Sequence, residues 1–229
     1  MRTYLTLLLL ICCTQGFAQS SERFAFRTIV FYNVENLFDT TNDSLVWDDD
    51  RTPEGRYHWT HNRYETKLDH ISKVLRSFKT PKGSPIQPDV IGVCEVENRK
   101  VLEDLVAHPE LQRLGYDIIH YDSPDKRGID VALLYRVESF TPTSFQSRRL
   151  LLFEDDGTRQ YTRDQLVVGG YLDGELFYFI VNHWPSRRGG AVISNPKRIR
   201  AALLNKHITD SLLTLEPQAK IVGMGDFND

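Results

Sequence analysis

The chain is poor in cysteine: three occur in 229 residues, and two of them, Cys12 and Cys13, lie in an N-terminal apolar segment. Without that segment Cys94 stands alone, so no internal disulfide can form and the fold must rest on its core. The same scarcity excludes a cysteine-rich zinc centre. Positive charge is also in short supply. With 28 Lys and Arg against 31 Asp and Glu, the formal charge is -3 and the pI about 6.2. No global field holds a polyanion, so any nucleic-acid binding must come from local patches or bound metal. Long apolar runs are missing too. The main one, Leu5 to Cys13, is about half of the ~20 residues needed to span a bilayer. Internal repeats and low-complexity stretches are absent.

What is present begins with Met1-Arg2, that apolar run, and Gly16-Phe17-Ala18, the charged, apolar and small-residue order of a signal peptide. Residues 1–18 are expected to be a leader cleaved after Ala18, with export to the periplasm or the extracellular space and one domain at 19–229. No stable membrane span is expected. Lipid anchoring at Cys12 or Cys13 is the weaker alternative, because Ile11 is a poor neighbour for lipoprotein processing. No protein partner is evident.

Phe26 to Val34 is β-branched and aromatic, which suits a buried strand. A polar surface loop, Thr40 to Thr60, follows it. Tyr64, Leu68, Ile71, Leu75 and Phe78 then recur at helical spacing behind Thr60 as N-cap. Val90 to Cys94 reads as a strand buried on both faces. Asn98 can cap a second helix to about Ala107, and Tyr116–His120 and Asp130–Tyr135 read as strands. Asp173-Gly174 joins two further runs in a β-hairpin. Asn195-Pro196 reads as N-cap and first residue of a helix to about Leu213, and Ala219 to Met224 as a last strand. The order predicts a mixed α/β (α+β) domain with helices covering sheets and ligands at strand ends.

Four apolar strands run into polar side chains, at Asn33-Val34-Glu35-Asn36, Glu95-Val96-Glu97-Asn98, Asn182-His183-Trp184-Pro185 and Gly225-Asp226-Phe227-Asn228. Carboxylates and amides are hard oxygen ligands of the kind that Mg²⁺ takes while keeping waters for a phosphate. In order and rough spacing the four segments resemble the endonuclease/exonuclease/phosphatase superfamily, which includes pancreatic-type deoxyribonucleases and abasic-site endonucleases. The resemblance implies a four-layer αββα sandwich of two mixed sheets. It implies Glu95 as a direct Mg²⁺ ligand with Asn33 beside it, Mn²⁺ and Ca²⁺ being alternatives. His183 would contact the scissile phosphate, Asp226 would orient or deprotonate water, and Asn228 would hold a phosphate oxygen. Family members continue past Gly-Asp-Phe-Asn to a Ser-Asp-His motif that supplies a general base. The expectation is a domain incomplete at its C-terminus that turns over poorly.

Other residues invite roles. Asp130 is a candidate to orient His183, expected as an imidazolium near the phosphate. Arg187 and Arg188 are candidates for flanking phosphates, whereas Lys197 to Arg200 suit a solvated helix face. Trp184 is a candidate base-stacking residue. Glu35, Asp39, His58 and His61 lack a compact ligand pattern. The expected activity is an exported Mg²⁺-dependent phosphodiester hydrolase, first a nuclease acting on nucleic acid. Alternatives are a phosphoesterase of lipid head groups, sugar phosphates or inositol phosphates, and a non-catalytic remnant.

Overall fold

A computed structural model describes residues 26–228. The leader assignment lies outside the described residues. Strand β1 (Ile29–Leu37) precedes the polar loop, and helix α1 (His61–Arg76) follows it. Then come β2 (Val90–Val96), α2 (Arg99–Ala107), β3 (Tyr116–His120) and β4 (Asp130–Arg136). The second half holds β5 (Phe140–Arg148), a short hairpin of β6 (Leu152–Phe153) and β7 (Arg159–Gln160), β8 (Gln165–Leu172) and β9 (Glu175–His183). Helix α3 (Ala191–Leu215) and β10 (Lys220–Asp226) close it.

Two four-stranded sheets result, ordered β1-β2-β4-β3 and β10-β9-β8-β5. Each has one parallel pair at one side, β1 with β2 and β10 with β9, followed by antiparallel pairings. The parallel pairs need long crossovers, and α1 and α3 lie within them. Val90, Val131 and Leu133 of the first sheet pack on Leu166, Phe179 and Val181 of the second. Phe140 meets Phe179 edge-on at 5.4 Å, the geometry favoured by the ring quadrupoles. Tyr64, Leu68 and Ile71 of α1 and Leu102 and Leu105 of α2 cover the outer face of the first sheet. Ile208 and Leu212 of α3 cover Val167 and Ile180 of the second. The layers are therefore helix, sheet, sheet, helix, as expected.

The two sheets pack tightly near the strand ends that carry the polar motifs, where a Cβ on Gly92 would lie 2.7 Å from Met224 Sδ of the other sheet. Within the second sheet, a Cβ on Gly225 would lie 2.4 Å from the carbonyl oxygen of Asn182 on the neighbouring strand. Glycine at these positions lets backbone and side chain cross where a methyl would not fit.

Asn98 caps α2 as expected, its Oδ1 accepting from the Val101 amide at 3.1 Å. At the β8–β9 turn Asp173 and Gly174 both have positive φ, 52° and 80°, the conformation of a type I′ hairpin. Two expectations shift. Strand β1 begins at Ile29 and continues beyond Val34 to Leu37, because Leu37 pairs with Val96 on the far side of a bulge. Helix α3 begins at Ala191, so Pro196 lies inside it. Gly189 and Gly190, at φ 83° and 103°, let the chain turn in early, and the Ser194 amide bonds the Gly190 carbonyl at 3.1 Å. Strand β5 and the β6–β7 hairpin are additions to the sequence reading.

Candidate active site

The site forms where β1 and β2 of one sheet end against β9 and β10 of the other. Both β1 and β2 are irregular there. The pairing of β1 with β2 shifts between Asn33 and Leu37, and that of β2 with β4 shifts between Cys94 and Val96. Glu35, Asn36 and Glu95 sit in these breaks with φ of 54°, 64° and 65°. A bulge re-aims a side chain that the regular pleat would send elsewhere, at a cost of about 1–3 kcal/mol for each residue so held. The last pair of the β9–β10 ladder is His183 opposite Asp226, so those two side chains arrive from neighbouring parallel strands.

Ligand atoms of Glu95, His183 and Asp226 all fall within 4.8 Å of one another. His183 Nε2 lies 3.7 Å from Glu95 Oε1. Asn33 Nδ2 donates to Glu95 Oε1 at 3.2 Å and to Asp226 Oδ2 at 3.0 Å. It holds carboxylates from two sheets in one place. Asn33 Oδ1 accepts from the Glu35 amide at 2.8 Å, which fixes the amide's orientation. The other oxygen of Asp226 accepts from the Asn228 amide at 3.0 Å. Two carboxylates and one imidazole nitrogen, all partly or largely buried and with no lysine or arginine among the described residues paired to them, suit a divalent cation. Glu95 and Asp226 would supply the hard oxygens, and Asn33 would support rather than ligate.

Two expectations are corrected. Asp130 does not orient His183. Its Oδ2 lies 3.1 Å from His120 Nε2 at the end of β3 and its Oδ1 accepts from the Ser123 amide of loop 121–129 at 2.7 Å, so both oxygens are engaged. His183 Nδ1 is buried and has no hydrogen-bond partner among the described residues. The imidazolium expected for His183 is disfavoured: burial, with the Arg163 and Arg127 cations, pushes its pKa down to about 2, toward the neutral ring.

The remaining candidates gather around this centre. Asn228 reaches it with φ 54°, and its Nδ2 donates to the Trp184 carbonyl at 3.0 Å. Arg187 Nε donates to the Asn228 carbonyl at 3.0 Å, which ties the Arg187 loop to the end of β10. Arg188 is exposed nearby. The Trp184 ring packs edge-on against Phe227 at 4.8 Å, and its Nε1 donates to Asn182 Oδ1 at 3.0 Å. Its face is engaged within the fold.

Sequence reasoning missed the frame behind these groups. Asn182 is fully buried, donates through Nδ2 to the Ile180 and Met224 carbonyls, and accepts from Trp184 and Asn205. Arg163 is buried with Asp125 at 2.9 Å and donates to the Trp184 carbonyl at 2.7 Å. The only signal was an amide at the end of a strand of buried apolar residues.

Residues 28–229 match the model of the Endonuclease/Exonuclease/phosphatase family. No curated protein matches significantly. Among solved structures, a humanized D. rerio TDP2 superposes with a TM-score of 0.56 at 13% identity, over 89% of this chain and 66% of that one. A mannosyl-6-phosphatase of Bacteroides thetaiotaomicron gives 0.51 at 18% identity, over 89% and 66%. ANGEL2, a 2′,3′-cyclic phosphatase, gives 0.52 at 17%, over 88% and 52%. The chain thus spans about half to two thirds of these proteins' length, and at such identities they speak to its fold. With the family match covering nearly all the described residues, the chain belongs to the endonuclease/exonuclease/phosphatase family.

Proposed function

We propose that this site hydrolyses a phosphoester, a phosphodiester first, with the help of a divalent cation, Mg²⁺ in the first instance. The observation that carries the reading is the convergence of Glu95, His183 and Asp226 from two sheets on one point, held by Asn33. A bound cation would neutralise phosphoryl charge and polarise the phosphorus centre. Asp226, anchored through both oxygens, would orient a water and take its proton. Neutral His183 presents Nε2 beside Glu95, where it can contact a phosphoryl oxygen. Asn228, next to Asp226 through its backbone amide, would hold the same oxygens on releasing the Trp184 carbonyl. Export through residues 1–18 belongs to this reading and rests on the sequence alone.

The nuclease expectation leaned on the basic run after His183. Arg187 turns back to Asn228, Lys197 pairs with Glu154 at 3.1 Å, and Arg198 is buried. A continuous basic track of the kind that follows a nucleic-acid backbone is thereby interrupted. This favours phosphoesters that need fewer backbone contacts.

The test is cation binding by calorimetry together with hydrolysis of bis(p-nitrophenyl) phosphate and nicking of plasmid DNA. Cation-dependent turnover that falls at least about 100-fold in Glu95→Gln is expected. Turnover unaffected by EDTA, or undiminished in that variant, would sink the reading.

A further inference from the structure

Beside the site lies a cleft of about 460 Å³ that begins at Pro185 and Ser186, directly after His183 and Trp184. Its charged lining is Lys126, Arg127, Arg163, Arg188 and Lys197 against Asp125 and Glu154. Both acids are already matched, Asp125 by Arg163 at 2.9 Å and Glu154 by Lys197 at 3.1 Å. In a chain whose formal charge is -3, this local excess of cations is set apart from the rest of the composition.

The rim of the cleft is apolar and points outward. Trp47 and Ile193 line it; Val192 adjoins Ile193 in sequence, and Leu45 lies two residues before Trp47. Relative exposures are 89% for Leu45, 69% for Trp47, 88% for Val192 and 69% for Ile193. The Trp47 side is fixed. Its amide donates to the Lys126 carbonyl at 2.7 Å, Lys126 Nζ lies 5.0 Å from its ring centroid, and Asp43 bonds the Leu45 amide at 2.9 Å. Val46, between the two exposed residues, turns inward against Gly128. The Val192 side is the first turn of α3, entered through Gly189-Gly190. A folded chain leaves single apolar residues in water without consequence, but two exposed pairs flanking one basic cleft mark a contact surface.

We infer that this rim seats the chain on a phospholipid surface, with the aliphatic residues and Trp47 in the headgroup–acyl boundary and Lys126 and Arg188 on lipid phosphates. Apolar anchors beside cations are the chemistry of interfacial binding. A polynucleotide would use the cations and Trp47, yet it gains little from Leu45, Val192 and Ile193 standing clear of the cleft. A small soluble ester would sit inside the cleft and leave the same side chains in water. The surface so placed feeds a lipid phosphoester to Glu95 and His183; that last step alone rests on the phosphoester-hydrolase reading, since docking needs no turnover.

The experiment is vesicle co-sedimentation of the full chain in EDTA, on phosphatidylglycerol–phosphatidylcholine vesicles, with tryptophan quenching by brominated acyl chains. Trp59 is buried and Trp184 is packed on Phe227, so quenching reports Trp47. Leu45→Ser/Val192→Ser/Ile193→Ser is expected to weaken vesicle affinity at least about tenfold, while leaving turnover of soluble bis(p-nitrophenyl) phosphate unchanged. Lys126→Gln and Arg188→Gln each weaken it about fivefold on the anionic vesicles, and Trp47→Phe abolishes the quenching. Glu95→Gln binds vesicles like the parent, which separates docking from catalysis. Vesicle binding unchanged in the aliphatic triple variant overturns the inference, as does quenching that survives Trp47→Phe. So does duplex DNA that competes with vesicles and binds with no dependence on the aliphatic residues.

Discussion

Replacing Asn182 by alanine tests whether the frame behind the site, rather than the site alone, sets its geometry. The side chain makes four hydrogen bonds, to the Ile180 and Met224 carbonyls and from Trp184 Nε1 and Asn205 Nδ2. A net ~1 kcal/mol per bond would give ~4 kcal/mol as an upper figure, and such contributions vary about twofold with context, so the expected loss is roughly 2–4 kcal/mol. For a domain of this size that is a fall in Tm of roughly 5–12 °C. His183 is the next residue and Met224 lies two before Asp226, so both functional side chains should loosen. Cation affinity should therefore fall by about tenfold or more. Urea unfolding and calorimetric cation titration of Asn182→Ala measure the two effects separately. Asn205→Ala alone should cost about 1 kcal/mol, and in the Asn182→Ala background almost nothing, because its partner is already gone. A loss below about 0.5 kcal/mol in Asn182→Ala, or strict additivity with Asn205→Ala, would refute the argument.

Two further outcomes follow from buried groups. Burial, with Asp39 and Asp48 adding negative charge, pushes the Glu97 carboxyl up to about 8, despite the bond it accepts from the Asp39 amide. The folded state then binds a proton that the unfolded chain releases near ~4.3, so this stabilisation is full below that pH and is lost as pH rises to about 8. Urea midpoints measured in EDTA should fall from pH 5 to pH 9 and fall less in Glu97→Gln; equal slopes would remove Glu97 from the account. Burial likewise drives the Cys94 thiol well above its ordinary range. Peptide mapping after native treatment with a thiol reagent at pH 8 should find Cys94 unmodified until denaturant is added; rapid native labelling would contradict its burial.

Much of this architecture was legible because burial on both faces writes a continuous apolar run. Val90 to Cys94 is such a run, and a carboxylate that ends it, Glu95, has no packing reason to be there. The periodicity of Tyr64, Leu68, Ile71 and Leu75 was equally open to reading, and all four face the core. Strand β5 was not. It is an outer strand with mostly exposed residues and Pro142 beside a break in its pairing, so neither alternation nor an apolar run announces it. The start of α3 was hidden for another reason, since Asn195-Pro196 offers a good local cap that the Gly189-Gly190 entry overrides. At the site, Asp130 could be placed near the strand ends but not assigned a partner. Its choice of His120 and the Ser123 amide depends on how loop 121–129 folds back, and no spacing encodes that.

The close approach of Gly92 to Met224 bears on how the ligand itself could influence the fold. Glu95 and Asn33 belong to one sheet, His183 and Asp226 to the other, and Gly92 against Met224, with the bond from Asn33 to Asp226, joins the sheets there. The cation pocket is thus a measure of inter-sheet alignment: it exists only when the halves of the sandwich are seated. Any ion that binds there selects the seated arrangement over a slipped or half-open one and raises unfolding stability by mass action. Gain in stability per decade of cation concentration would report how faithfully the halves are docked, even with no substrate present.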